Sequence, residues 1–225
     1  MPVPPMAPRV RAARHRTPAH ERLPTGRPKA GVGYDPEARA CRAEPWSPLP
    51  TGRGPGGGRL KCFVALGANL GDPPRVVRDA IDALARLPDV HLAAASSLYR
   101  TAPVGLLHQP DFINAVVALD IVGAVPPPLC FLDRLFAIEA AFGRSRGVRN
   151  APRTLDLDLL LYGVEMSNDP RCTLPHPRMG DRAFVLAPLA EIAPGLTIPG
   201  MGRVDALLAC CADQRIERLP HCVPA

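Results

Sequence analysis

Aromatic residues are scarce, at 4% of the 225 residues with a single Trp. That counts against a nucleic-acid platform built on stacked aromatic rings. No run of about 18 apolar residues occurs, which excludes a membrane-spanning helix. The N-terminus lacks the apolar stretch of a secretory signal. The seven cysteines are odd in number and contain no CxxC pair. Reduced, idle thiols in a cytoplasmic protein are the expectation. Glycine has no three-residue period, so a collagen-like chain is excluded.

Proline, by contrast, is plentiful, and 12 of its 29 copies fall within residues 1–59. That segment also holds 11 Lys+Arg against 4 Asp+Glu and ends in a Gly-rich run. It has no hydrophobic period that could offset the entropy of ordering, so a disordered basic tail is predicted. Prolines at positions 2, 4, 5 and 8 oppose the amphipathic helix of a transit peptide. The other 16 cations and 17 acids leave residues 60–225 one unit negative. The net charge of +6 therefore belongs to the tail and is no argument that the folded part binds nucleic acid.

Folded structure is expected from Leu60 to residue 225. Residues 61–66 read as a buried strand, and residues 67–71 as a turn. That Gly-x-x-x-Gly lacks the Lys-Ser/Thr of a phosphate loop, so a structural role is assigned to it. Asp72 before Pro73 suits a helix start, and Val76, Val77, Ala80, Ile81, Leu84 and Leu87 recur at helical spacing. Residues 90–99 and 112–121 read as strands, 126–142 as a second helix and 154–162 as a strand. Strand, helix, strand, strand, helix, strand is the order of a ferredoxin-like α+β core, βαββαβ, with a mainly antiparallel sheet. C-terminal additions follow: a short strand and helices near 184–192 and 204–212.

The segment 152–159, PRTLDLDL, carries the sharpest chemistry. On a strand Asp156 and Asp158 share one face, with Cα atoms about 6–7 Å apart, while Leu155, Leu157 and Leu159 point into a core. Such a pair can hold hard cations whose remaining ligands are water and substrate phosphates. From alternation alone, a solvated acidic face is the simpler reading. The adjoining loop changes the balance, because Arg144, Arg146, Arg149 and Arg153 fall within ten residues. Guanidinium groups recognise phosphate bidentately, and a metal–polyphosphate ligand reconciles them with the acids.

Six stretches in order now support a resemblance: FVALGANLGDP (63–73), SSLYRTAPVG (96–105), QPDFINAVVAL (109–119), IEAAFGR (138–144), PRTLDLDLLLYG (152–163) and LPHPRMGDRAFVLAPLAEIAP (174–194). Residues 62–194 resemble the 6-hydroxymethyl-7,8-dihydropterin pyrophosphokinases of folate biosynthesis. The resemblance implies an enzyme that moves the pyrophosphoryl group of ATP to the pterin hydroxymethyl oxygen and releases AMP. It implies two Mg²⁺ ions on Asp156 and Asp158, and Arg144 and Arg153 as catalytic contacts to the triphosphate. It further implies pterin contacts at Thr101, Val104, Phe112, Asn114 and Phe184, and nucleotide contacts at Glu139, Arg146, Thr173, His176 and Arg182. Two aromatic rings would sandwich the flat pterin while an amide reads its edge. A monomer acting on small molecules in the cytoplasm is expected. Asn150 stands where some members carry an aromatic lid residue, and Gly143 and Gly147 predict a loop that orders over bound ATP. An RNA-binding module of similar strand order is the rival reading. Its corresponding strand would carry the two acids, which repel phosphates without metal.

Overall fold

The computed structural model describes residues 58–103, 109–144 and 152–220. In chain order the elements are β1 (Gly58–Ala68), α1 (Pro73–Ala85), β2 (Val90–Ala95), β3 (Tyr99–Thr101), β4 (Phe112–Gly123) and α2 (Pro128–Ala141). They continue with β5 (Asp156–Tyr162), the hairpin β6 (Ser167–Asp169) and β7 (Cys172–Leu174), and a 3-10 turn, Met179–Asp181. Last come α3 (Ala183–Ile192), β8 (Thr197–Ile198), β9 (Gly202–Arg203), α4 (Val204–Ala209) and β10 (Ile216–Arg218).

The main sheet runs β10-β3-β4-β1-β5, with β2 also on β4, and every pairing is antiparallel. Alternating residues of each strand supply two cores, as the pleat requires. Val64 and Leu66 of β1 and Leu157 and Leu159 of β5 pack with Val77 of α1 and Phe131 of α2. On the opposite face Phe63, Val116 and Leu161 pack with Leu186 and Leu189 of α3 and Val204 of α4. In α1, Asp72 accepts the Arg75 N–H at 3.3 Å, Pro73 occupies the first turn, and Val77, Ala80 and Leu84 line the buried stripe. Among the described residues no helix is long and apolar enough to cross a membrane. The five described cysteines are free thiols.

Several elements differ from expectation. β1 starts at Gly58 and ends at Ala68, because Gly58 pairs with Gly123, Gly67 with Asn114 and Ala68 with Ile113. Two residues assigned to the tail and two assigned to a turn are therefore strand. The expected strand over 90–99 is split into β2 and β3. At the break the Ser96 hydroxyl accepts the Val116 N–H at 3.0 Å and donates to the Ser97 carbonyl at 2.8 Å. A side chain takes a ladder position that backbone would otherwise fill. The last helix is only Val204–Ala209, and β10, absent from the sequence reading, pairs with β3. Glu191 helps to hold that edge, accepting from Ser97 N–H at 3.1 Å, the Tyr99 hydroxyl at 2.9 Å and the Arg218 guanidinium at 2.7 Å.

Candidate active site

The alternating Thr-Leu-Asp-Leu-Asp-Leu stretch buries Leu155, Leu157 and Leu159 and turns Asp156 and Asp158 to the other face of β5. Arg144, just beyond α2, and Arg153, just before β5, both donate to Asp156. Arg144 also donates to Glu139. The Glu139 side chain is only 2% exposed with its residue, and its carboxylate accepts the Leu157 N–H at 2.7 Å. β5 is the edge strand, so this contact satisfies an amide that has no neighbouring strand. Glu139 thus fastens the strand between the two aspartates and stations Arg144 beside them. Burial, against the pull of the Leu157 amide and Arg144, pushes the Glu139 carboxyl up to about 7.

Asp158 is half-buried and has no hydrogen-bond or ion-pair partner among the described residues. Burial first, and the Asp156 charge second, raise its carboxyl above the usual carboxylate range, while His176, Arg182 and Arg153 oppose the rise. His176 lies beyond the same strand edge, where its N–H donates to the Leu160 carbonyl at 2.9 Å. Its Nδ1 accepts the Arg178 N–H at 3.3 Å, so the neutral ring carries its proton on Nε2. Burial lowers the imidazole pKa, and the nearby Asp158 draws it back upward.

Across the sheet, Asn114 of β4 is 6% exposed and donates through Nδ2 to the Thr101 hydroxyl at 2.8 Å. Phe112 sits two residues earlier on the same face of β4. Phe184 opens α3, and the Arg182 guanidinium lies 5.3 Å from its ring centre. No side chain next to α3 caps it. Gln214 does so from 31 residues away, accepting the Ala183 N–H at 2.9 Å and donating to the Asp181 carbonyl at 2.8 Å. Among the described residues no ring contact joins Phe112 to Phe184.

Of the residues singled out in the sequence, Arg144, Arg153, Asp156, Asp158 and Glu139 meet in one cluster. His176 and Arg182 border it electrostatically, and Thr101, Asn114 and Phe112 gather on the neighbouring strands. Thr173 is in β7, where its hydroxyl donates to the Asp169 carbonyl at 3.1 Å, within its own hairpin. Val104, Arg146, Arg149 and Asn150 lie outside the described residues, as does the loop expected to order over ATP.

Asn69 was missed, because its segment read as a plain turn. It is 2% exposed. Its Oδ1 accepts the Arg153 N–H at 2.9 Å, and its own N–H reaches the Arg153 carbonyl at 3.2 Å. Its Nδ2 donates to Gln109 Oε1 at 3.0 Å and to the Pro110 carbonyl at 3.2 Å. One amide therefore ties the end of β1 to the segments leading into β4 and β5. The rule that a buried amide needs partners, applied to Asn114, would have found it too. Asn69→Ala is expected to destabilise the fold by about 2–3 kcal/mol, since it strips partners from several groups at once. Urea denaturation of the two proteins measures this.

Whether the acids suit a metal can be judged from their surroundings. Among the described residues no group of three or more His, Cys, Asp or Glu could hold an ion by itself. An oxygen-only pair, one of whose carboxylates has no partner among the described residues, is a poor site for a closed structural ion. It fits Mg²⁺, which keeps water and substrate phosphates as its other ligands.

Comparison with known proteins gives one consistent answer. Residues 63–194 match the family model described as 7,8-dihydro-6-hydroxymethylpterin-pyrophosphokinase. The chain is 48% identical over 160 residues to a 2-amino-4-hydroxy-6-hydroxymethyldihydropteridine pyrophosphokinase of Pseudomonas aeruginosa, covering 71% of this chain and 97% of the relative. It is 39% identical to the Haemophilus influenzae protein of the same name, covering 71% of this chain and 98% of the relative. Among solved structures, the wild-type Plasmodium falciparum HPPK-DHPS with pteroate superposes with a TM-score of 0.54 at 12% identity. That match covers 70% of this chain and 43% of the other, so the chain spans less than half of that protein. At such identity the likeness concerns the fold.

Proposed function

The chain belongs to the 7,8-dihydro-6-hydroxymethylpterin-pyrophosphokinase family, and on that premise we propose that it transfers the pyrophosphoryl group of ATP to the hydroxymethyl oxygen of 6-hydroxymethyl-7,8-dihydropterin, releasing AMP, in folate biosynthesis. The observation that carries this reading is the carboxylate pair Asp156 and Asp158, flanked by Arg144 and Arg153 on one side and opposed by a recessed amide, Asn114, on the other. Acids and guanidinium groups this close suit a ligand that is itself a metal-bound polyphosphate.

In this reading Asp156 and Asp158 hold Mg²⁺, two ions with ATP as co-substrate. The metal supplies charge neutralisation at the phosphate oxygens and a template for in-line displacement. Arg144 and Arg153 leave Asp156 for the triphosphate and stabilise charge as the pyrophosphoryl group moves. His176 presents its Nε2–H, and Arg182 its guanidinium, toward the nucleotide. The pterin lies between Phe112 and Phe184, where the Asn114 Oδ1 and the Thr101 hydroxyl receive its polar edge. Because Nδ2 of Asn114 is committed to Thr101, the amide offers its oxygen and selects a donor-bearing edge. Catalysis rests on positioning and electrostatics, with no covalent intermediate.

The order β5-β1-β4-β2, with α1 and α2 packed against one side, supports the split ferredoxin-like description of the core. In the same reading the protein is a cytoplasmic monomer acting on diffusing small molecules. The direct test incubates the purified protein with ATP and 6-hydroxymethyl-7,8-dihydropterin, with Mg²⁺ or with EDTA. Equimolar AMP and pterin diphosphate, formed only with Mg²⁺, is the expected result. ADP as product, or turnover indifferent to EDTA, would contradict the proposal.

A further inference from the structure

Gly67 is the penultimate residue of β1, paired with Asn114 of β4 on one side and with Asp156 of β5 on the other. All three positions face the same way. The next row on that face is Val116, Ala65 and Asp158, again with the smallest residue on the middle strand. One step further the trough ends, because Phe63 fills it and packs with Leu161 and α3. The face of β1 is therefore shallow where it passes between the recessed amide and the carboxylates. It is filled where nothing needs to enter.

No backbone demand explains this glycine. Its φ is not in the left-handed region, unlike that of Gly71 or Gly143. A glycine inside a strand weakens it and commonly marks a place where a ligand or another backbone approaches closely. What Gly67 supplies is the missing Cβ, which would stand 3.2 Å from Asn114 Oδ1. That oxygen is the free end of an amide whose nitrogen is bound to Thr101, and it has no partner among the described residues.

From this we infer that Gly67 is a specificity-determining residue. Its bare backbone leaves room beneath the edge of the ring that Phe112 and Phe184 hold, and it sets the span between ring recognition and phosphoryl transfer. Asn114 and Asp156 are two strand spacings apart, about 10 Å. A bicyclic ring with a one-carbon arm bridges that span over Gly67 without a gap. A side chain there crowds the Asn114 oxygen, pushes the ring edge off the amide and tilts its arm away from the acids. Catalysis by a metal-bound polyphosphate needs no glycine here, so nucleotide affinity is independent of the residue. The inference rests on the proposed pterin reading and specifies how that ring is seated.

The test compares wild type with Gly67→Ala and Gly67→Val in steady-state kinetics, in binding of a non-hydrolysable ATP analogue with Mg²⁺, and in thermal unfolding. One methylene in a fitted pocket changes discrimination by roughly 10- to 200-fold. The KM for the pterin should therefore rise at least about tenfold in Gly67→Ala, and saturation should be lost in Gly67→Val. Analogue binding and the KM for ATP should stay within about twofold, the change expected when no contact is altered. An unchanged pterin KM in Gly67→Ala overturns the inference, and so does a parallel rise in both KM values. Loss of the thermal transition in Gly67→Ala also overturns it, because the glycine would then serve the fold. A wild-type protein inert toward ATP and the pterin would instead overturn the reading of function.

Discussion

Asp158→Asn is expected to lower kcat by at least about 10³-fold, the scale of removing a principal electrostatic contact to the transition state. The variant is expected to melt at or above the wild-type temperature. Both halves of this result come from the same surroundings. Asp158 has no hydrogen-bond or ion-pair partner among the described residues, so in the proposed reading turnover depends on what it binds and the fold gains little from its charge. Burial and Asp156 raise its pKa above the unfolded value. The ionised group therefore costs stability at neutral pH, and that cost disappears as pH falls through the folded pKa. Any excess in the melting temperature of the variant should accordingly shrink on acidification. Thermal melts from pH 7 down to 4, beside single-turnover AMP release, measure both quantities. A kcat within tenfold of wild type would remove Asp158 from the site.

Arg153→Ala should reduce kcat by about 10²- to 10³-fold while the KM for ATP moves much less. The backbone of Arg153 is clamped on both sides by Asn69, so its guanidinium reaches Asp156 from a fixed point, and in the proposed reading it turns from there to the incoming phosphates. Its second effect has the opposite sign. Asp156 is shared by two guanidinium groups, which compete with any cation. Removing Arg153 should therefore tighten Mg²⁺ binding in the absence of nucleotide, as read by calorimetry. Arg153→Lys keeps the charge without the bidentate fork and should recover only part of the rate. Equal losses in Mg²⁺ affinity and in kcat would mean that Arg153 supports the acids and does not compete for them.

Much of this site is legible in the chain because it depends on short-range periodicity. The two-residue alternation of residues 154–159 places Asp156 and Asp158 together and the three leucines opposite. The cap at Asp72 and the apolar spacing of α1 are equally local. Other features run against local chemistry. Gly67 and Ala68 look like turn residues, yet they are strand, since pairing with Asn114 and Ile113 outweighs the weak preference of a single glycine. Near Leu160 a bulge opposite Phe63 and Val64 interrupts the alternation. Leu160 and Leu161 consequently both face α3, and Tyr162 returns to the other core. The family resemblance implies a nucleotide contact at Glu139, and no local pattern foretells that its carboxylate also accepts the Leu157 N–H.

From its order of residues alone, this chain specifies two acids on one strand face, the amphipathic helix α1 and a family, because side-chain direction along a strand or helix is a property of neighbours in sequence. Which strands lie side by side is not such a property. Only tertiary structure could set glycine between an amide and an aspartate, bring Glu139 to the edge of β5 and make Asn69 the knot joining three segments. Register and crossover are decided by the burial of both sheet faces at once, and no single stretch of residues carries that information.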